Sequence, residues 1–546
     1  MMLGVTADHP RHELNCRPMR GGNRPYRNSI WVVLASFGLI LVGGCSGTAT
    51  SSSASTTSSF TRALPAVPAA IGKWDWSTYG HDAQHTFHGQ TTLTLATART
   101  LHKAWFFHTG DAVTATPTVV GGTVYVGSWD DYFYALNLQT GHLRWKVRLK
   151  SQNGVTPYPG ERPREGSSDG GLVTSSAWFE PAGGGRPPLV IFGGGYTLYA
   201  LDATDGHVVW EHDYPGLPGS PNPDRDQTRI FSSPVVANGK VIFGLDMDGQ
   251  KGSAGYVVAA DLNTGDPVWE LQTDADPNGH VLDDSCGSVW SSGTVLPDLG
   301  LVVFGSADCD FTAAQRYADS IMALRIDTGT VAWIYHPLGD APACDFDFGT
   351  SANAGVSASG VTSFVGEGSK DGTYYSLDPA TGQLRWSTNV VFGGFSGGFI
   401  GTTAYDGHRV FGSTALGDFN PGREGNKLCD PSNPRDKAVQ NPTTHAFDAS
   451  SGVIAWQMNT ASSFAPTSVA GGMTFNGLAF AKDVIQVRDA ATGGLIVELK
   501  LPQSNWSGIA TVGDALVFGL GTDFNPGSSG VEELTPGGKP PVVPRS

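Results

Sequence analysis

The amino-acid sequence predicts an all-β protein, an eight-bladed β-propeller built from four-stranded antiparallel blades. Two observations lead to this prediction: a repeated turn motif with a tryptophan at a fixed distance, and a composition rich in turn-forming residues. The motif is clearest at residues 201–210, where a strand end, a turn on Asp, Thr and Gly, and a second strand closed by Trp follow one another. Gly permits the positive φ of such a turn, and Asp and Thr can hydrogen-bond its backbone.

The motif recurs along the chain. Its glycines are Gly141, Gly206, Gly265, Gly329, Gly382, Gly452 and Gly493. Four residues later stands Trp145, Trp210, Trp269, Trp333, Trp386 or Trp456, and the last copy has Val497. A large flat side chain at a fixed place suits packing between neighbouring sheets. Spacings of 41 to 70 residues suit four-stranded blades with variable loops rather than a tight solenoid. Unrelated hairpins with shared turn chemistry explain two or three copies, but not seven.

The eighth blade is expected to combine both ends of the chain. Trp105 lies in a strand that lacks local partners, and the apolar runs 509–512 and 515–520 lack a following Trp strand. Joining these segments in one sheet closes the ring and removes exposed sheet edges. The propeller is therefore predicted over residues 73–522, and residues 523–546, rich in Pro and Gly, are predicted to be a loose tail.

Composition agrees with a propeller and excludes some partners. Glycine (73) and proline (34) make up about a fifth of the 546 residues, as many turns require. A propeller absorbs this length in one domain. The net charge of −16 argues against nucleic acid or an anionic membrane surface as a partner.

The N-terminal segment has the features of an export signal. Basic residues precede an apolar run at 30–42, which ends in Gly43-Gly44-Cys45. This arrangement predicts a signal peptide over residues 1–44. Cys45 resembles the acylated cysteine of bacterial lipoproteins. Residues 45–72, rich in Ser and Thr, would then form a flexible tether. We expect an exported protein, lipid-anchored to the outer face of the cell membrane; an uncleaved anchor or a soluble secreted protein is the alternative.

Four cysteines remain once Cys16 and Cys45 are set aside. They are Cys286, Cys309, Cys344 and Cys429. In an oxidising compartment they predict two disulfides, with three pairings possible. A zinc site is the competing interpretation, and the absence of any CxxC pair disfavours it. Without CxxCH there is no covalently attached c-type haem.

Two stretches depart most from the repeat, residues 285–290 and 344–351. The second has Asp345 and Asp347 one residue apart between aromatic side chains. On a strand such residues share a face. Paired carboxylates favour metal binding or general-base catalysis, and a solvated acidic loop is the alternative.

These stretches, with Tyr79-Gly80-His81-Asp82 and residues 124–145, resemble the pyrroloquinoline-quinone (PQQ) alcohol dehydrogenases. The similarity is strongest to the polyvinyl alcohol dehydrogenase branch, and it runs from Trp76 to about Gly521. The family has an eight-bladed propeller and uses PQQ with Ca²⁺.

The resemblance assigns roles residue by residue. In the family the quinone stacks on a tryptophan eighteen residues before a turn that binds calcium, which implies Trp290 and the ligand Asp308. The catalytic aspartate, also near the metal, corresponds to Asp345, with Asp347 beside the cofactor. The cation that contacts the quinone oxygens corresponds to Lys370.

Three positions depart from the family pattern. The acidic calcium ligand has no unambiguous counterpart in register; of Asp246 and Asp248, the resemblance is taken to imply Asp248. No two cysteines are adjacent, so the vicinal disulfide of many alcohol dehydrogenases is absent. Residues 397–400 read Gly-Gly-Phe-Ile, without the tryptophan expected there.

Two functions remain open from the sequence. The first is an exported PQQ- and Ca²⁺-dependent dehydrogenase that oxidises an alcohol, with Asp345 as general base and Lys370 polarising the quinone, and passes electrons to a separate acceptor. The second is a non-catalytic propeller lipoprotein that serves as a binding or assembly scaffold in the cell envelope.

Overall fold

Nearly all regular structure in the protein is β-strand, as a computed structural model shows. The structure describes residues 70–150, 173–214, 229–246, 255–274, 287–307, 317–337, 346–394, 397–416, 441, 443–479, 483–522 and 525–544. These residues belong to the compact unit Ala63–Ser546. The predicted signal peptide, Cys45 and most of the tether lie outside the described residues. Within the described ranges, no helix is long and apolar enough to cross a bilayer.

The strands form eight sheets. Seven are four-stranded and antiparallel, with consecutive strands paired, and we number these blades in chain order. Blade 1 is Thr118–Val120, Thr123–Gly127, Tyr132–Asn137 and Leu143–Arg148. Blade 2 is Trp178–Glu180, Leu189–Gly194, Thr197–Asp202 and Val208–Asp213. Blade 3 is Val235–Ala237, Lys240–Leu245, Tyr256–Asp261 and Pro267–Gln272. Blade 4 is Thr294–Leu296, Leu301–Gly305, Ile321–Arg325 and Val331–Tyr335, with the 3-10 helix Pro297–Leu299.

The remaining blades follow the same plan. Blade 5 is Asn353–Val356, Thr362–Gly368, Thr373–Leu377 and Leu384–Asn389. Blade 6 is Ala404–Tyr405, Arg409–Ser413, Thr443–Asp448 and Ile454–Asn459. Blade 7 is Ser468–Ala470, Met473–Leu478, Val484–Asp489 and Leu495–Lys500. Blade 8 is Ala510–Gly513, Ala515–Thr522, Asn525–Pro536 and Leu101–His108. The first strand of every blade contacts the first strand of the next, from blade 1 round to blade 8 and back. The predicted eight-bladed propeller is therefore confirmed.

Blade 8 closes the ring with strands from both ends of the chain. The strand of Trp105 lies in the same sheet as residues 510–522, as expected. Its direct partner, however, is Asn525–Pro536, which lies between them. The predicted domain end at residue 522 and the loose tail from 523 are therefore wrong for this segment. It forms a strand because Val531 and Leu534 are buried in the blade core on either side of it.

The repeated tryptophan belongs to the fourth strand and packs on the next blade. A Cβ added to any of the repeat glycines would lie within 2.7 Å of an indole of the preceding blade. The pairs are Trp105 with Gly141, Trp145 with Gly206, Trp210 with Gly265, Trp269 with Gly329, Trp333 with Gly382, Trp386 with Gly452 and Trp456 with Gly493. Each indole N–H also donates to a carbonyl oxygen near that turn, at 2.8 to 3.3 Å. Gly is needed because a side chain would displace the ring.

The missing eighth tryptophan has a structural reason. Val497 lies in blade 7 and faces blade 8, whose third and fourth strands come from opposite chain ends and share no turn. The helix Leu95–Ala98, capped by Thr94, contacts this strand instead. Arg99 adds a hydrogen bond from Nη1 to the carbonyl oxygen of Ile496 at 2.6 Å.

Hydroxyl groups tie neighbouring blades together near the centre. In six of the junctions, an amide N–H donates to a Ser or Thr hydroxyl of the next blade at 2.8 to 3.0 Å. The accepting hydroxyls are Thr116, Ser176, Ser233, Ser292, Ser351 and Thr402. We call these residues the hydroxyl ring. It fixes the start of each first strand, and so the loops just before it.

The N-terminal segment 76–91 crosses the centre of the ring. Its backbone hydrogen-bonds to the first strands of six blades, at Val119, Phe179, Val295, Ala354, Tyr405 and Val469. Gln90–Thr91 then pairs in parallel with the first strand of blade 8. The segment lies where first strands pass into second strands, an end we call the turn face. The opposite end, which holds the loops between second and third strands and between blades, we call the loop face.

Replacing Gly329 by Ala should destabilise the fold through its contact with Trp269. Gly329 has φ +69°, and a Cβ would lie 2.5 Å from that indole. We expect a lower free energy of unfolding by about 1–3 kcal/mol beyond the backbone strain, the usual effect of overpacking. Gly239→Ala is the matched control, because φ is +72° and nothing lies within 4 Å of its Cβ position. Equal losses in urea unfolding of the two variants would contradict the packing account.

Glu533 should make stability fall as pH rises. It lies in the closing strand with no exposed surface, and burial, together with the negative charge of Asp514, raises its pKa to about 9. The carboxyl group of Glu533 ionises near pH 4.5 in the unfolded chain and near pH 9 in the folded protein. The contribution of this group to the free energy of unfolding is therefore highest below pH 4.5 and falls as the pH rises to about 9. Glu533→Gln should therefore melt several degrees above the native protein at pH 9 and close to it at pH 5. A difference independent of pH would rule this out.

Candidate functional site

Three of the predicted site residues meet on the loop face between blades 4 and 5. Trp290 lies in the loop that enters blade 4, Asp347 in the loop that enters blade 5, and Lys370 in the turn after the second strand of blade 5. The Nζ of Lys370 is 2.7 Å from Oδ2 of Asp347 and 5.4 Å from the centre of the Trp290 ring. Residues separated by 80 positions in sequence thus form one cluster.

The indole of Trp290 occupies space left by a glycine. Trp290 stands two residues before Ser292 of the hydroxyl ring, and Gly349 stands two residues before Ser351, at the same place in the next blade. A Cβ on Gly349 would lie 1.6 Å from Cζ2 of Trp290. Because Gly349 has no side chain, the ring can lie across it, half-buried.

The turn that presents Lys370 is rigid. Ser369 Oγ donates to the carbonyl oxygen of Phe346 at 2.7 Å, and Tyr375 Oη donates to Asp371 Oδ2 at 2.6 Å. Burial raises the pKa of Asp371. Blade 1 has the same turn, in which Tyr134 Oη donates to Asp130 Oδ2 at 2.6 Å. The repeat therefore builds the turn, and the lysine is what blade 5 adds.

A glycine-rich loop packs against the same turn. A Cβ on Gly393 or Gly398 would lie 1.8 or 2.4 Å from the carbonyl oxygen of Lys370. Phe399, which follows, is fully buried, and its N–H donates to Ser369 O at 3.0 Å. Residues 397–400, where the sequence lacks the expected tryptophan, thus pack against the backbone of the turn that holds Lys370.

Several predicted residues lie outside the described part of the chain. They are Asp248, Asp308, Asp345, Cys286, Cys309, Cys344 and Cys429. The residue after Asp345, Phe346, is buried and is the one that Ser369 holds through its carbonyl oxygen.

Asp246, the alternative to Asp248 as acidic ligand, lies beside the site. It is buried, its Oδ1 accepts a hydrogen bond from Ser288 Oγ, and Ser288 O in turn accepts one from Ala307 N at 2.8 Å. Ser288 is two residues before Trp290. To decide between Asp246 and Asp248, one must know where the second strand of blade 3 ends. The sequence alone does not locate that end.

Glu367 is a site residue that sequence reasoning missed. It is the penultimate residue of the second strand of blade 5 and has no exposed surface. Neither carboxyl oxygen has a hydrogen-bond partner among the described residues. Burial raises its pKa well above the usual value. The signal was present, because blade 4 has Phe304 before its strand-end glycine where blade 5 has Glu367. Finding it required the strand register.

Together these groups form a surface for a flat, anionic ligand. An indole offers a planar apolar face, and a lysine ammonium supplies a charge for ligand oxygens. Carboxylates close by supply hard oxygen donors for a cation.

This architecture is that of a quinoprotein-type propeller, and the similarity of the chain to known protein families agrees with it. Residues 76–390 match the family described as glucose/ethanol/alcohol dehydrogenase, beta-propeller domain, and the chain belongs to this family. Residues 317–516 also match the family of outer membrane protein assembly factor BamB. The resemblance stated from the sequence is thereby confirmed.

Relatives support the same placement at low identity. The chain is 25% identical over 369 residues to a polyvinylalcohol dehydrogenase of a Pseudomonas species, covering 62% of this chain and 54% of that protein. It thus spans about half the length of the curated relatives it matches. In fold it is similar to the quinohemoprotein alcohol dehydrogenase ADHIIG of Pseudomonas putida (TM-score 0.69, 19% identity, 88% and 85% of the chains). The quinohemoprotein alcohol dehydrogenase of Comamonas testosteroni is also similar (TM-score 0.65, 20% identity, 87% and 82%).

Gly349→Ala should displace Trp290 with little other effect. The added Cβ would overlap the indole, so the ring must move and the near-ultraviolet circular dichroism of the protein should change, with destabilisation of about 1–3 kcal/mol. Gly183→Ala is the control, because nothing lies within 4 Å of its Cβ position. An unchanged spectrum for Gly349→Ala would show that Trp290 does not lie across this glycine in solution.

Proposed function

We propose that the protein is an exported, lipid-tethered dehydrogenase that oxidises an alcohol with PQQ and Ca²⁺ and passes the electrons to a separate acceptor. The observation that supports this most directly is the cluster of Trp290, Lys370 and Asp347. Its members come from three segments of two blades, and they hold the places that the family pattern assigns to the cofactor.

The described residues fit the cofactor. The half-buried Trp290 offers a ring face, widened by the missing side chain of Gly349, and Lys370 lies 5.4 Å from the ring centre. Bound here, PQQ would supply a carbonyl that accepts the hydride of an alcohol. Trp290 would fix its plane, and Lys370 would hold its oxygen atoms by charge and hydrogen bonds.

Asp347 acts on the lysine. Its carboxylate is 6% exposed and the lysine side chain 13%, so their 2.7 Å contact is shielded from water. Such a partner keeps the ammonium charged and restricts its rotamers. Asp347 is thus a positioning residue, and its place in the sequence, two residues after Asp345, ties the lysine to the backbone of the proposed base.

Asp345 is the proposed general base, which takes the hydroxyl proton of the substrate. A carboxylate near a bound cation stays ionised at neutral pH. For the cation we propose Asp308, Asp248 and Asp345 as ligands, since Ca²⁺ prefers carboxylate oxygens. Asp246, buried next to Ser288, is the alternative to Asp248.

The tether gives this enzyme its location. The apolar run at 30–42, the small residues before Cys45 and the Ser/Thr-rich segment support export followed by acylation of Cys45. The folded part enters at the turn face, where Asp75 Oδ1 accepts from Gly121 N at 3.1 Å in the first turn of blade 1. The site lies at the opposite end, the loop face.

A scaffold function is the second candidate. The match of residues 317–516 to an outer membrane assembly factor supports it, because that stretch contains blades 5 to 7 and the lysine turn. A scaffold would not require PQQ.

Reconstitution with PQQ and Ca²⁺ distinguishes the two candidates. We expect the purified full chain to retain PQQ after gel filtration and to reduce a dye with primary alcohols, secondary alcohols or polyvinyl alcohol. Asp345→Asn should lower turnover by about 10²–10⁴-fold, the contribution of a general base, with an unchanged melting temperature. No retained quinone at saturation would leave the scaffold function. A loss under about tenfold would remove Asp345 from the role of base.

A further inference from the structure

One position of the repeat changes its chemistry next to the site. The residue before the repeated glycine near the end of each second strand is apolar in six blades. These residues are Val126, Phe192, Phe243, Phe304, Phe411 and Phe518. The two exceptions are Asn476 in blade 7 and Glu367 in blade 5. The amide of Asn476 donates to Ser413 Oγ and Thr467 Oγ1, at 2.8 Å each. Glu367 has no such partners among the described residues.

A carboxyl group in this place is costly. Both oxygens of Glu367 are fully buried, and an ionised carboxylate without a partner costs several kcal/mol or more in such surroundings. Phenylalanine at the same place in blade 4 has no such cost. Lys370 does not compensate it, because its ammonium group is bound to Asp347 at 2.7 Å. Thr350 Oγ1 lies close enough to the carboxyl group to lower its pKa, but it donates to Gly368 O at 2.9 Å and carries no charge.

The surroundings of Glu367 supply oxygen atoms. A Cβ on Gly305 would lie 2.3 Å from Glu367 Oε1 and 2.2 Å from the carbonyl oxygen of Phe348. Two oxygens from different segments of blade 5 therefore pack closely against Gly305. Thr350 is buried beside them. An alanine at position 305 would overlap both oxygens, so glycine is needed for them to approach.

We infer that Glu367 is a ligand of a hard divalent cation at the junction of blades 4 and 5. The donors there are a carboxylate, a backbone carbonyl and a hydroxyl, a set that favours Ca²⁺ over softer metals. The cation supplies the positive charge that the buried carboxylate otherwise lacks. This inference rests on the proposed function, since it adds a ligand from a core position to the cation that function requires.

Calcium binding to the full chain without PQQ tests the inference. We expect Glu367→Gln to bind Ca²⁺ at least about tenfold more weakly in calorimetric titration, and its melting temperature to rise less on Ca²⁺ addition than that of the native protein. Without Ca²⁺ the variant should be at least as stable, because the amide has the same shape and no charge. Glu533→Gln removes another fully buried carboxyl in blade 8 and should leave the Ca²⁺ affinity unchanged.

Glu367→Asp is a second variant that tests the inference even if Glu367→Gln fails to fold. It keeps the charge but shortens the reach, so its Ca²⁺ affinity should lie between those of Glu367→Gln and the native protein. Native affinity in Glu367→Gln, an equal loss in Glu533→Gln, or no Ca²⁺ binding by the native chain would each overturn the inference. Normal Ca²⁺ binding that depends on Glu367, with no retention of PQQ, would overturn the proposed dehydrogenase and leave this cation site intact.

Discussion

The contact of each repeat tryptophan with the glycine of the next blade is the interaction on which this structure depends. Each sheet is only four strands wide and has two apolar faces, so it is stable only when both are covered. The indole covers part of one face, and its N–H is bonded to the neighbouring turn. Seven junctions use this contact, and the eighth replaces it with the helix Leu95–Ala98. The tryptophan contacts thereby fix the rotation between neighbouring blades at the outer, fourth strands. The hydroxyl ring fixes it at the inner, first strands.

This division leaves the loop face free to vary. The tryptophan and its glycine lie at the turn face, as do the Asp-capped turns, and that end repeats closely in every copy. At the loop face the same backbone positions hold Trp290 in one blade and Gly349 in the next, or Trp129 in blade 1 and Lys370 in blade 5. A site can thus be assembled from single substitutions at repeated positions, without new backbone. The site residues are rigid because the repeat already holds their turns.

The sequence alone was sufficient for the ring and for its closure by both chain ends, but not for the strand that lies between those ends. Fixed spacing between glycine and tryptophan revealed seven blades, and the isolated Trp105 revealed the eighth. The strand Asn525–Pro536 was missed because its Gly and Pro content is typical of a loop, and only pairing on both sides makes it a strand. The path of residues 76–91 could not be foreseen either, since its hydrogen-bond partners lie up to 422 residues away in sequence. In the site, Trp290 and Lys370 followed from motif offsets, whereas Asp246 and Glu367 required strand register.

Glu367 is a polar residue at a position that is apolar in most other blades of the repeat. Each blade is an internal control for the others, so a polar residue at a position that is Phe or Val elsewhere stands out against a matched background. A surface charge at such a place would mean little. A carboxyl group in the core lowers stability unless something compensates it, and a cation is the compensation that adds binding rather than merely filling space. The residue lies in the same blade as Lys370 and against the segment that holds Asp347. The buried carboxyl group that destabilises the fold therefore lies at the same blade junction as the residues of the candidate site.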